Sequence, residues 1–153
     1  MDSSTTTNNN NVNQPTKAYT FASIIVLLLG VASYGIGLFN AEMALNEKGY
    51  YLIVLLYGLF SMVSLQKHIR DEKEGIKTSA IYSQLCWFSS LIAIVLLVVG
   101  LYNAELFLSE KGFYGMAYVL SLFAAVTVQK NIRDKSNTIK FENTVESASE
   151  IIS

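Results

Sequence analysis

Four long runs of apolar residues dominate the hydrophobic pattern, separated by short polar stretches. Residues 18–38, 49–66, 78–104 and 112–129 contain no charged side chain. The runs are continuous rather than alternating, so their period selects helices over strands. At about 1.5 Å rise per residue, roughly 20 residues cross the ~30 Å hydrocarbon layer of a bilayer. The first and third runs meet that length, and the second and fourth need their ends in the headgroup zone. The pattern predicts spans near 19–45, 49–66, 79–108 and 112–129. In lipid only helices and closed barrels satisfy their own backbone groups. The predicted fold class is therefore an all-α membrane protein, with four transmembrane helices in two tandem parallel helical hairpins.

The hairpins are tandem because the sequence repeats. Between residues 37–71 and 100–134 the chain is identical at 18 of 35 positions without a gap, at an offset of 63 residues. Self-similarity at a fixed offset marks a duplicated structural unit. The expected organisation is a disordered tail over 1–18, a first two-helix repeat over 19–71 and a linker over 72–81. A second two-helix repeat covers 82–134, and a flexible tail covers 135–153. Residues Phe141, Val145, Ala148 and Ile152 recur at helical spacing in that tail, with Glu142, Glu146 and Glu150 on another face. An acidic face suits an anionic inner leaflet poorly, which favours a frayed tail over a surface helix.

Charge sets the predicted orientation. Of eleven basic residues, nine (Lys17, Lys67, Arg70, Lys73, Lys77, Lys130, Arg133, Lys135 and Lys140) fall on one side of the spans, and only Lys48 and Lys111 on the other. Basic residues stay cytoplasmic, so both termini are expected inside and both Glu-Lys-Gly tips outside. The two repeats then share one orientation and are related by an axis along the membrane normal. Tyr19, Phe21, Tyr82 and Trp87 mark the inner interface; Phe39, Tyr50, Tyr51, Tyr102, Phe113 and Tyr114 mark the outer one.

Composition removes several function classes. A net charge of −1 offers no basic surface for nucleic acid. One cysteine, Cys86, and one histidine, His68, leave little for a metal centre or a nucleophilic triad. No phosphate-binding glycine loop or zinc-protease helix is present. The chain is expected to need no cofactor, to hold no metal, and to have no catalytic residue. Its expected partners are the lipid bilayer and either a second copy of itself or another membrane protein.

Polar residues at the outer hairpins are the candidate chemistry. Asn40, Glu42 and Glu47 recur as Asn103, Glu105 and Glu110. If the helix continues through the hairpin, Gly30, Ser33, Gly37, Asn40, Ala41, Ala44 and Glu47 share one face. Asn40, Glu42, Glu47, Asn103, Glu105 and Glu110 could then form a polar cluster near the pseudo-twofold axis that binds a cation or relays a proton. The plainer alternative is a capped hairpin whose charges sit in water, with Gly49 and Gly112 in the left-handed conformation that ends a helix. At the inner boundary, Gln-Lys-x-Ile-Arg-Asp closes the second and fourth spans. Lys67, Arg70, Lys130 and Arg133 serve there as topology signals or headgroup contacts, and Lys67–Asp71 and Lys130–Asp134 have ion-pair spacing. His68 is expected to be solvated. Gly30, Ser33, Gly37 and Gly100, with Gly58, Ser61, Ser121 and Ala124 on the second and fourth spans, are small enough for close helix packing.

The stretches Gly37-Leu38-Phe39-Asn40-Ala41-Glu42, Asn46-Glu47-Lys48-Gly49-Tyr50-Tyr51 and Gln66-Lys67-His68-Ile69-Arg70-Asp71, with their second copies, resemble the YiaA/YiaB inner-membrane family, built from the YiaAB two-helix domain. The resemblance covers about 21–134. It implies four spans in a bacterial inner membrane and supplies no ligand or catalytic residue. The favoured function is non-enzymatic interaction, with itself or a partner, motivated by the small-residue faces. The alternative is a small transporter or ion-translocating protein using Glu42 and Glu105, which predicts a wet cavity reaching those carboxylates from outside.

Overall fold

A computed structural model describes residues 16–152. Its elements are four helices: α1 (Lys17–Asn40), α2 (Leu45–Lys73), α3 (Ala80–Asn103) and α4 (Leu108–Ile152). The 63-residue offset reaches the caps. Thr16 Oγ1 accepts the Tyr19 N–H at 3.3 Å to start α1, and Ser79 Oγ accepts the Tyr82 N–H at 3.4 Å to start α3. Each hydroxyl satisfies one of the donors a helix start leaves open. Residues 1–15 of the expected N-terminal tail lie outside the described residues, and α1 begins two residues after them, at Lys17.

The hairpins around 41–44 and 104–107 differ from the continuous helix expected at 19–45 and 79–108. α1 stops at Asn40 and α3 at Asn103, and Ala41 and Ala104 are extended, with ψ near 140°. The Glu-Lys pair of each hairpin explains the stop. Glu47 Oε2 accepts the Ala44 N–H at 3.0 Å, and Glu110 Oε2 accepts the Phe107 N–H at 2.9 Å. This is the carboxylate half of a capping box, so each glutamate starts the following helix. Lys48 Nζ donates to the Phe39 carbonyl at 2.9 Å and Lys111 Nζ to the Tyr102 carbonyl at 3.3 Å. A cation on the last carbonyls closes the preceding helix. Gly49 and Gly112, expected as left-handed caps, are instead inside the first turns of α2 and α4. Among the described residues the one positive φ is at Gly75, +73°.

Gly75 also explains why the two repeats end differently. Its N–H bonds the Glu72 carbonyl at 3.1 Å and the Ile76 N–H bonds the Asp71 carbonyl at 2.9 Å. These are the paired bonds of a Schellman stop, which needs a left-handed residue. The equivalent residue in the second repeat is Thr138, and no glycine or proline follows Gly115. α4 therefore runs on to Ile152 through the segment expected to be a flexible tail.

The repeats interlock. α1 lies along α4 and α3 along α2, while α2 and α4 run side by side in the middle; α1 with α2, and α3 with α4, meet at few points. Helix partners are thus drawn from opposite repeats. Glycines set the closest approaches. A Cβ at Gly30 would stand 2.7 Å from Ser121 Oγ and 3.2 Å from its backbone nitrogen. Gly58 lies under the Tyr118 ring. A Cβ at Gly37 would meet the Phe113 ring at 2.8 Å, and one at Gly100 would meet the Tyr50 ring at 2.7 Å. Lipid tails are as apolar as leucine, so shape complementarity of this kind takes over from hydrophobic burial in choosing partners. Of the small residues expected at helix contacts, Gly30, Gly58, Ser61, Ser121 and Ala124 are buried within the bundle.

The centre is filled by Tyr34, Tyr51, Tyr114 and Tyr118 with Leu38, Val54, Leu55, Leu97 and Leu122. Tyr34 donates its hydroxyl to the Tyr51 carbonyl at 3.0 Å, and Tyr118 donates to the Ala93 carbonyl at 3.2 Å. The hydroxyls of Tyr34 and Tyr118 thereby have their partners. The counterparts of Tyr34 and Tyr118 at the 63-residue offset are Leu97 and Leu55, so one half of the core carries both tyrosines and the other both leucines.

Outside, the polarity is that of a membrane protein. Leu28, Leu29, Ile53, Leu56, Phe60, Leu91 and Phe123 all point outward and are exposed. Burying one such side chain gains about 1.5–3 kcal/mol over leaving it in water. A surface of this composition around four helices long enough to span fits lipid as its solvent.

Candidate functional site

Interlocking brings the α1–α2 and α3–α4 hairpins together. The extended segments 41–44 and 104–107 release Glu42 and Glu105 from their helices, and both line one cavity of about 570 Å³. It lies between the start of α2 and the end of α3. The first repeat contributes Glu42, Met43, Asn46, Glu47, Tyr50 and Tyr51; the second contributes Val99, Gly100, Asn103, Ala104, Glu105 and Leu106. Three carboxylates and two amides face this space, and no lysine or arginine lines it.

Several of these groups are held in place. Glu47 is anchored by the Ala44 N–H, and Asn103 Nδ2 donates to the Val99 carbonyl at 2.8 Å. Tyr50 donates its hydroxyl to the Leu96 carbonyl at 2.7 Å, and its ring meets Tyr51 edge-on at 5.4 Å. The counterpart of Tyr50 is Phe113, which has no hydroxyl to make this bond. Among the described residues no three His, Cys, Asp or Glu side chains converge as a metal site. The carboxylates are spread around an open mouth. Such a cavity draws a positively charged group by its field and by aromatic faces rather than by tight coordination.

Of the polar cluster expected from sequence, Glu42, Glu47, Asn103 and Glu105 meet in this cavity. Asn40 is exposed outside its lining, and Glu110 caps α4 away from it. Asn46, Tyr50 and Tyr51 are the polar lining residues that sequence reasoning did not assign to a site. The tyrosines read only as interfacial anchors, and Asn46 changes to Ser109 in the second copy.

The opposite, basic end holds two inter-helix joints. Asn131 Nδ2 donates to Ser23 Oγ at 3.1 Å, linking α4 to α1, with both residues buried. Its counterpart His68 is 3% exposed, against the expectation of a solvated side chain. The ring packs edge-on against Tyr82 at 5.9 Å, with Nδ1 3.4 Å from Thr78 Oγ1 and Nε2 3.9 Å from the Glu72 carboxylate. It is buried because α3 lies along this face of α2. Asp71 pairs with its neighbour Arg70 at 2.7 Å rather than with Lys67, which is exposed. Arg133 and Asp134 pair likewise at 3.3 Å, and Lys130 is exposed. Ser33 lies in a groove between α1 and α4 lined by Leu29, Phe113, Met116 and Phe123.

Residues 19–71 and 82–134 each match the yiaA/B two helix domain. The chain is 55% identical over 125 residues to inner membrane protein YiaA of Escherichia coli (strain K12), covering 82% of this chain and 86% of that protein. It is 30% identical over 99 residues to inner membrane protein YiaB of the same organism, covering 65% and 84%. Identity to the uncharacterized membrane protein YubF of Bacillus subtilis (strain 168) is 38% over 60 residues, covering 39% and 69%. No solved structure matches the chain. With both repeats matched along their length and all four helices long enough to span a bilayer, the chain belongs to the yiaA/B two helix domain family and is an integral membrane protein.

Proposed function

We propose that this is a non-enzymatic protein of the bacterial inner membrane, with both termini in the cytoplasm, that acts by binding a positively charged group at its outer face. The observation that carries the reading is that Glu42 and Glu105, contributed by different repeats, line one cavity with Glu47 and without a basic residue. Two relatives named as inner membrane proteins support the location. The bias of nine basic residues to one side supports the orientation.

Most of the small residues that from sequence favoured association with a partner are buried inside the bundle, so the weight shifts to the cavity. Its open mouth is what an ion-translocating protein would also need. Translocation further needs polar groups at several depths. Around Tyr51 the interior is filled by Tyr34, Tyr114, Tyr118 and leucines, which favours binding over passage.

The test is thermal stability of the purified protein in detergent, titrated with calcium chloride, sodium chloride, ethanolamine and spermidine. Stabilisation by one cation at constant ionic strength, lost in Glu42→Gln with Glu105→Gln and kept in Glu110→Gln, supports the reading. Equal responses of all three proteins refute it. Cation or proton flux in proteoliposomes that depends on Glu42 and Glu105 would replace it by transport.

A further inference from the structure

Tyr51 is the buried residue of the cavity wall. It is 4% exposed, whereas Glu42, Glu47 and Glu105 are all exposed, so the carboxylates form the rim and the tyrosine the inner end. The Tyr51 hydroxyl has no hydrogen-bond partner among the described residues. The unpartnered side-chain atoms that are fully enclosed belong to Gln66, Gln129 and Arg133, and this hydroxyl is not one of them, so it opens into the cavity. A tyrosine hydroxyl in such surroundings usually finds a partner, as those of Tyr34, Tyr50 and Tyr118 do. That of Tyr51 is left for whatever the cavity takes in. Its counterpart Tyr114 shares the unpartnered hydroxyl but does not line the cavity.

Three carboxylates without a lysine or arginine bring a positively charged group to this space, so the hydroxyl oxygen meets it as an acceptor. Other acceptors stand free. Glu47 Oε2 is taken by the Ala44 N–H, which leaves Oε1, and Asn103 Nδ2 is spent on the Val99 carbonyl, which leaves Oδ1. A primary ammonium, with three N–H donors, suits such a set. A metal ion does not, since among the described residues no three ligating side chains converge. A quaternary ammonium has no N–H to give and is held by several open aromatic faces. Here the Tyr51 ring is stacked on Tyr114 at 6.2 Å and 19°, and Gly100 lies so close that a Cβ there would stand 3.3 Å from Tyr51 Cε1. Of the two lining tyrosines, Tyr50 alone is left to offer a face.

We propose that the cavity takes a primary ammonium group, and that the Tyr51 hydroxyl oxygen is the acceptor that tells it from other cations. This inference rests on the cation-binding reading above and narrows it. The carboxylates draw any cation, and the hydroxyl holds the one that carries N–H. Selection is by hydrogen bonding, not by fit. The ammonium belongs either to a free amine or to the ethanolamine headgroup of a lipid in the adjoining leaflet, and its chemistry is the same in both.

Ethanolamine and choline test this, because choline carries methyl groups where ethanolamine has its three ammonium N–H. Thermal stabilisation of the full chain in detergent, followed over a concentration series at constant ionic strength, gives an apparent affinity for each. The unaltered protein, Tyr51→Phe and Tyr114→Phe are compared. Tyr51→Phe keeps the ring, its stack on Tyr114 and the backbone carbonyl that accepts the Tyr34 hydroxyl. Ethanolamine is expected to bind the unaltered protein about tenfold more tightly than choline, the scale of one hydrogen bond to a charged group. The margin should vanish in Tyr51→Phe and persist in Tyr114→Phe. Nanodiscs then identify the source. Ethanolamine binding alike in discs of phosphatidylethanolamine and of phosphatidylcholine supports a free amine. Binding in phosphatidylcholine discs that disappears in phosphatidylethanolamine discs supports the headgroup, which already fills the site. Equal affinities for ethanolamine and choline, a margin that survives Tyr51→Phe, or loss of both ligands in that variant overturns the proposal and leaves cation binding standing. Stabilisation by neither ligand overturns both. Should Tyr51→Phe not fold, the comparison of ethanolamine with choline on the unaltered protein decides alone.

Discussion

Glu47 and Lys48 are adjacent in sequence and cap two different helices: Glu47 holds the start of α2 through the Ala44 N–H at 3.0 Å, and Lys48 holds the end of α1 through the Phe39 carbonyl at 2.9 Å. Glu110 and Lys111 repeat the arrangement. The strongest motif of the repeat thus has a structural duty.

Removing the caps should weaken the fold in additive steps. Glu47→Ala and Glu110→Ala are each expected to cost about 1 kcal/mol, the usual scale of a lost helix-start cap. The double variant should lose the sum, because the two caps share no partner. Chemical unfolding in detergent micelles measures this; a double variant no weaker than either single one contradicts it.

The glycines should separate into three groups. Gly49→Ala and Gly112→Ala are expected to be neutral or to stabilise by up to about 1 kcal/mol, since both positions are helical with open space around them. Gly75→Ala should destabilise by about 1–2 kcal/mol, the cost of a left-handed non-glycine residue. Gly58→Leu should prevent Tyr118 from seating and collapse the yield of folded protein. Thermal melts of the set check the order.

Tyr118→Phe keeps the ring over Gly58 and removes only the hydroxyl that bonds the Ala93 carbonyl. A loss of about 0.5–1.5 kcal/mol is expected, at the scale of one hydrogen bond between membrane helices. Tyr118→Leu, which copies the residue found at position 55, should cost more because it also empties the hollow. Equal losses would show that the ring contributes nothing.

Cation binding at the outer cavity should depend on charge and not on shape. Glu42→Gln and Glu105→Gln are each expected to weaken binding about three- to tenfold, the effect of removing one unit charge a few Å away in a solvated site. Raising salt from 50 to 500 mM should weaken the unaltered protein further, by screening. Isothermal titration at two salt concentrations tests both effects.

The spans and the duplication were legible in one dimension, because apolar length measures itself against bilayer thickness and a repeat is read position by position. The caps at Thr16, Ser79, Glu47 and Lys48 were not, because they depend on where each helix actually starts and stops. The left-handed cap expected at Gly49 failed because Lys48 already closes the preceding helix, so that glycine is free to start the next one. The extension of α4 to Ile152 turned on one difference, Thr138 where the first repeat has Gly75.

What tertiary structure alone decided is which helix lies against which. In lipid an apolar face gains little by turning inward, so the pattern of leucines does not choose partners. The choice falls to fits such as Tyr118 over Gly58, between residues 60 apart in sequence. That choice interlocked the repeats, buried His68 beneath α3, and carried Glu42 and Glu105 from separate hairpins into one cavity.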